Sequence, residues 1–188
     1  MTLTTIDPSS ALVVIDLQKG IVSAHTGAPV KAAVHRASHL AAEFRRHGLP
    51  VVLVNVTGRA PGRTEARSPG RSEAPPAGWA DLIDALDVQP TDHLITKRRR
   101  SAFHDTGLDT LLRDLGVTQV VLAGLSTSGG VESTARSAAD HGYHVVLATD
   151  AMSDPDADAH RHSIERVFPK LGETATTAEV VQKAEATR

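Results

Sequence analysis

The chain has 188 residues, 40% of them hydrophobic, with 20 basic and 22 acidic side chains and a formal net charge of −2. That suffices for one sizeable core, and the charge is too even to draw the chain to nucleic acid or to an anionic membrane surface. There is no cysteine, which excludes disulfides, thiolate metal sites and a thiol nucleophile, and aromatics at 3% leave little surface for stacking single-stranded bases.

In chain order, Ala11 to Ile15 is an uninterrupted apolar run and predicts a buried strand that ends at Asp16. From about Val30 to His47 the apolar positions Ala33, Ala37, Leu40, Ala41 and Phe44 follow helical spacing. Gly48 caps that helix and Pro50 prevents its resumption. Val51 to Val56 is a second strand. The stretch from Thr57 to Gly78, with four glycines, four prolines and four arginines, is irregular and too long to be a plain connection. Trp79 to Leu86 predicts a short helix, Asp92 to Lys97 contains a third strand, and Leu108 to Leu115 is helical. Val120 to Ala123 is a further buried strand. It runs through Gly124 and Ser126 to Gly130 into a helix whose inner face carries Val131, Thr134, Ala135 and Ala138. His144 to Leu147 and Thr174 to Val181 are read as the last strand or edge segments. Strands alternating with helices predict right-handed crossovers and a mostly parallel sheet covered on both faces, over a single domain spanning 1–188.

Three positions carry chemistry. Asp16 ends the first strand and Lys97 ends the third, so each falls at the carboxyl edge of a parallel sheet. The Ser126–Gly130 turn joins a strand to a helix and offers backbone N–H groups at a helix N-terminus. An acid, a base and a cluster of N–H donors at one edge fit a hydrolytic or lyase-type crevice. Each position also has a structural reading: Asp16 as a cap or turn residue, the Lys97–Arg100 run as a solvated patch or anion site, and the glycines as an ordinary turn.

Asp16-Leu17-Gln18, Lys97 followed by Ser101-Ala102-Phe103, and Gly124…Thr127…Gly130-Val131…Thr134-Ala135 together resemble the isochorismatase-like hydrolase family. Gly142-Tyr143…Val145…Asp150-Ala151 and Asp154-Pro155-Asp156…His160-Arg161…Val167-Phe168-Pro169 extend the resemblance over nearly the whole chain. It implies a Rossmann-like three-layer α/β/α sandwich. Most members hydrolyse amides or imides with an Asp–Lys–Cys triad. By position Asp16 and Lys97 take the first two roles and Gly130 stands at the place of the cysteine. The resemblance further implies an oxyanion hole from the N–H groups of Ser126 and Gly130 and a cis Leu125–Ser126 bond. Substrate contacts are expected at Gln18, Phe103, Thr127 and Ser128.

The departure at Gly130 removes thioester chemistry. Members resembling true isochorismatases also carry glycine there and cleave a vinyl ether, with the Asp as general acid. Isochorismate or a related small acid is therefore a candidate substrate, with Asp16 and Lys97 working without a covalent nucleophile. Ser126, Thr127 and Ser128 offer hydroxyls, but a serine is useful only beside a positioned base. Some members bind zinc through Asp-x-His after the second strand; here that region reads Asn55-Val56-Thr57, so no metal and no cofactor is expected. His141, His144, His160 and His162 read as surface histidines. Phe103 and Trp79 are expected as pocket walls or core, and Arg59, Arg63, Arg67 and Arg71 as carboxylate grips or a solvated loop. The remaining expectations are a small-molecule substrate, no nucleic-acid or membrane partner, a homodimer or higher homo-oligomer, and a cytoplasmic location. A fold that has lost its chemistry and serves as a binding or assembly module stays open beside the enzyme.

Overall fold

The computed structural model describes residues 3–25, 27–65 and 75–187. Six strands form one sheet in the order β3-β2-β1-β4-β5-β6, and every pairing is parallel. They are β1 (Ser10–Ile15), β2 (Val51–Val56), β3 (His93–Lys97), β4 (Gln119–Leu125), β5 (His144–Ser153) and β6 (Glu173–Ala175). The chain starts in the middle at β1, winds outward to β3, returns to β4 beside β1 and winds out the other way. The order therefore reverses between β1 and β4, and a doubly wound sheet opens a crevice at the carboxyl ends of the strands flanking that point.

Alternation along the strands divides the core into two layers. Leu12 and Val14 of β1 face the layer that contains Val30, Ala37, Leu40, Ala41 and Phe44 of α2 (Ala28–Arg46) and Val180 and Ala184 of α6 (Thr177–Ala186). Ala11, Val13 and Ile15 face the other, with Leu108 and Leu112 of α3 (Leu108–Asp114) and Ala135 and Ala138 of α4 (Glu132–Asp140). The result is the expected three-layer α/β sandwich. Among the described residues no helix is long and apolar enough to cross a membrane.

Two segments differ from the sequence reading. The stretch from Trp79 to Leu86 is helical only as a short 3-10 turn at Asp84–Leu86. Before it the chain is held against residues 17–20: Lys19 N–H donates to the Asp81 carbonyl at 2.8 Å, and Ile83 N–H to that of Leu17 at 3.1 Å. Leu82 bridges Gln18 in antiparallel fashion. Thr174 to Val181 is not one strand either. β6 stops at Ala175, and Thr176 caps α6 in a capping box with Glu179. Of the Gly/Pro/Arg loop, residues 66–74, including Arg67 and Arg71, lie outside the described residues.

Candidate active site

Asp16 follows β1 directly and adopts φ of 53°, a left-handed conformation that Asp tolerates better than most side chains. It is 4% exposed. Lys97 closes β3, two strands away and about 10 Å across the sheet, within reach of an extended lysine. Its Nζ donates to Asp16 Oδ2 at 2.7 Å and to the carbonyls of Arg100 and Arg99 at 3.0 and 3.3 Å. The three ammonium protons thus have three acceptors, which fixes the amine although it is only 2% exposed. Asp16 Oδ1, by contrast, is buried with no hydrogen-bond partner among the described residues. Burial pushes the Asp16 carboxyl up to about 6, and the attraction and hydrogen bond of Lys97 only partly oppose it.

Gly130 opens onto this pair. A Cβ placed on it would lie 3.0 Å from Ile15 Cγ2, 3.1 Å from Asp16 Oδ2 and 3.3 Å from Lys97 Nζ. The elements that bring it there need glycine elsewhere too. Gly124 has φ of +117°, and a Cβ there would sit 2.1 Å from the Ile15 carbonyl oxygen, so no side chain fits where β4 lies against the end of β1. The Leu125–Ser126 bond is cis. The following Thr127–Val131 turn is a π-type bulge, a distortion common at functional sites, and it leads directly into α4. Gly129 and Val131 N–H donate back to the Ser126 carbonyl at 3.0 and 3.2 Å.

The residues expected from sequence at the substrate, Gln18, Phe103, Thr127 and Ser128, all contact other protein groups. Gln18 is fully buried. Its amide nitrogen donates to the Val56 and Trp79 carbonyls at 3.1 and 3.2 Å, and its oxygen accepts from Val56 N–H at 2.7 Å, so it ties β1 to β2 and to the 79–82 segment. Phe103 stacks on His141, with ring centroids 5.0 Å apart, and meets Tyr143 at 5.9 Å. His141 follows α4, roughly 16 Å along the helix from Gly130, so this contact lies at the end remote from the acid–lysine pair. Thr127 is buried and its hydroxyl meets His160 Nδ1 at 2.8 Å. The N–H and hydroxyl of Ser128 both donate to Asp154 Oδ2, at 2.8 and 2.7 Å. Trp79 lies over Gly20, where an added Cβ would come within 2.0 Å of the indole.

Two histidines reach the Ser126–Thr127 turn, and one of them, His160, was read from sequence as a surface residue. His160 is half-buried against Thr127, and loss of solvation lowers its pKa, against the opposing pull of Asp154. His25, which carried no motif, places Nε2 3.1 Å from Ser126 Oγ and Nδ1 2.7 Å from the Ile21 carbonyl. The segment after Asp154 was marked in the sequence by Asp154 and His160; the partner of Ser126 lies 101 positions away and had no signal. Asn55, where a zinc-binding aspartate was considered, donates to the Ala80 carbonyl at 2.9 Å and accepts from Thr96 at 2.8 Å. Among the described residues, Glu43, His47 and Glu185 bring possible metal-ligand atoms within 4.8 Å of one another, away from the crevice. Both of their carboxylates already hold Arg46.

A doubly wound parallel sheet with a buried acid–lysine pair beside its switch point defines a Rossmann-like α/β protein whose polar site lies where this architecture takes small ligands. Its family follows from comparison: residues 10–179 match the isochorismatase domain, and the chain belongs to the isochorismatase family. It is 38% identical over 179 residues to the isochorismatase family protein YwoC of Bacillus subtilis (strain 168), covering 93% of each. It is 31% identical over 184 residues to a maleamate amidohydrolase of Pseudomonas putida, covering 92% of this chain and 85% of that one. An isochorismatase family structure from Burkholderia thailandensis superposes with a TM-score of 0.86 at 38% identity, over 96% of this chain and 98% of that chain.

Proposed function

We propose that the chain is a small-molecule hydrolase in which Asp16, held by Lys97, donates the proton and no covalent nucleophile operates at Gly130. The observation that carries this reading is that Gly130 faces the pair, so that a Cβ added there would lie 3.0–3.3 Å from Ile15, Asp16 and Lys97. In most of the family that position carries a thiol; here a bare backbone faces the pair, so no side chain comes between a reacting group and Asp16 or Lys97. The unpartnered Asp16 Oδ1 supports a ligand contact, and a carboxyl raised to about 6 keeps a protonated fraction near neutral pH. Lys97 spends its protons on Asp16 and two carbonyls, so it sets the charge and aim of the acid.

The chemistry needs one proton in either substrate class. In an enol ether such as isochorismate, Asp16 protonates the vinyl carbon; water then adds to the oxocarbenium and the hemiketal collapses to a ketone and an alcohol. In an amide, the proton goes to the leaving nitrogen while water attacks the carbonyl. The amidohydrolase among the relatives keeps the second class in the test. The N–H groups of Ser126, just before the bulged turn, and of Gly130 within it are the donors proposed for developing negative charge.

A screen of small acids and amides by thermal shift, followed by mass analysis of each binder after incubation, tests the reading. A ligand at 100 times its dissociation constant adds about 2.7 kcal/mol of stability. Binders that are turned over support the hydrolase; binders that return unchanged overturn it in favour of a binding module. We further propose a homodimer or larger assembly, supported by the edge position of β3 and its Leu94 at 63% exposure. Light scattering at micromolar concentration tests it, and a mass near 19.8 kDa overturns it.

A further inference from the structure

The obstacle to a serine nucleophile in this cysteine-free chain was the want of a base, and the fold supplies one. Ser126 Oγ and His25 Nε2 lie 3.1 Å apart. The other ring nitrogen, Nδ1, is 2.7 Å from the Ile21 carbonyl. A carbonyl oxygen only accepts, so Nδ1 carries the hydrogen, and in the neutral ring Nε2 presents its lone pair to the serine hydroxyl. A nucleophile touching a base, with the base oriented by a third group, is the general pattern of an activated hydroxyl.

The surroundings agree with that chemistry. Ser126 is half-buried, accessible from the carboxyl edge of β4, and stands immediately before the Thr127–Val131 bulge that opens α4. Backbone N–H groups at such a helix start favour an oxyanion. Ser126 Cβ would lie 3.7 Å from a Cβ on Gly129, so the glycine leaves the serine face uncrowded. His25 follows the short helix α1 (Lys19–Val22), whose own residue Ile21 supplies the orienting carbonyl, so one local turn fixes the ring.

We propose that Ser126 and His25 form a nucleophile–base couple that gives the chain an acyl-transfer activity toward small esters, separate from proton transfer by Asp16. Ser126 Oγ bonds to the acyl carbon as its proton passes to His25 Nε2. The ester C–O bond breaks, the leaving alcohol takes that proton, and the acyl group remains on Ser126. Water then gives a proton to Nε2 and attacks the acyl carbon, and Ser126 Oγ departs and is reprotonated by His25. No co-reactant beyond water is required.

The test uses an alkyl fluorophosphonate, which phosphonylates activated serines, on the whole chain with intact-mass readout and peptide mapping. One adduct per chain on Ser126 is the expected result, absent in Ser126→Ala. His25→Ala should label 10²–10⁴-fold more slowly, the usual contribution of a positioned base, and added imidazole should recover part of that rate. No adduct on the wild-type chain, an adduct on another serine, or a His25→Ala variant that labels at the wild-type rate would each overturn the couple. The probe reports on Ser126 alone, so its failure leaves the Asp16 reading to its own measurement.

Discussion

Gly130→Cys supplies the thiol that the family resemblance leads one to expect at this position, and the geometry sets its consequences. Gly130 is not in the left-handed region, so the backbone accepts a side chain. The space is tight: the new Cβ would meet Ile15 Cγ2 at 3.0 Å, Asp16 Oδ2 at 3.1 Å and Lys97 Nζ at 3.3 Å. Ile15 is fully buried on β1 and has nowhere to go, so the carboxylate and amine must shift by a few tenths of an ångström. Overpacking of this kind costs ~1–3 kcal/mol, and the loss of glycine freedom in the unfolded chain returns ~0.4–1. A net destabilisation of ~1–2 kcal/mol, or about 2–8 °C in Tm for a chain of this size, is expected. The sulfur would sit near an ammonium and at a helix start, so its pKa should fall below the ordinary 8.5 or so of cysteine. Thiolate absorbance against pH, alkylation rate and thermal unfolding measure both effects, and turnover should drop as the new side chain displaces the carboxylate and amine. A thiol that titrates and alkylates like free cysteine, with Tm and activity unchanged, would refute the placement of Gly130 on the acid–lysine pair.

Lys97→Met keeps the length and removes the charge that lowers the Asp16 pKa. The carboxyl should then rise above about 6, and the descending limb of the pH–rate profile should move to higher pH if Asp16 is the acid. The same raised pKa predicts a stability term. A carboxyl raised in the folded chain contributes stability that is complete below its unfolded pKa and is lost as pH rises through the folded one. From 3.8 to about 6, at ~1.36 kcal/mol per unit, the whole span is worth about 3 kcal/mol. Of this, wild type should lose about 2 kcal/mol between pH 4 and pH 7 relative to Asp16→Asn, read by urea unfolding at those two values. A parallel pH dependence in the two proteins would contradict it. His160→Ala removes the partner of the Thr127 hydroxyl and should loosen the bulged turn, lowering kcat by roughly 10–10²-fold through misplacement; kinetics alongside circular dichroism tests this, and an unchanged kcat would oppose it.

What could be read from sequence follows from range. β2 was legible to the residue and β1, α2 and β4 nearly so, because apolar runs and helical spacing are local signals. Asp16 and Lys97 were legible because each ends a strand, and parallel strands bring their carboxyl ends to one edge. Thr174 to Val181 misled because its threonines and valines favour strands, while the decisive Thr176–Glu179 capping box starts a helix inside that stretch. Trp79 to Leu86 has helical composition, yet its backbone is claimed by residues 17–20, a contact no local pattern announces. Gln18, expected at the substrate, spends its whole amide on holding β2 and the 79–82 segment. His25 escaped because its meaning depends on Ser126, which follows β4 and lies 101 positions along the chain.

The central claim is that Asp16 moves the proton. Asp16→Asn keeps the shape of the side chain and its place beside Lys97, but it has no carboxyl proton to give. On whichever substrate the screen returns, kcat should fall by about 10²–10⁴-fold while KM changes little, because shape and most polar contacts remain. A variant that keeps more than about a third of the wild-type kcat, outside that range of loss, would place the chemistry on other residues.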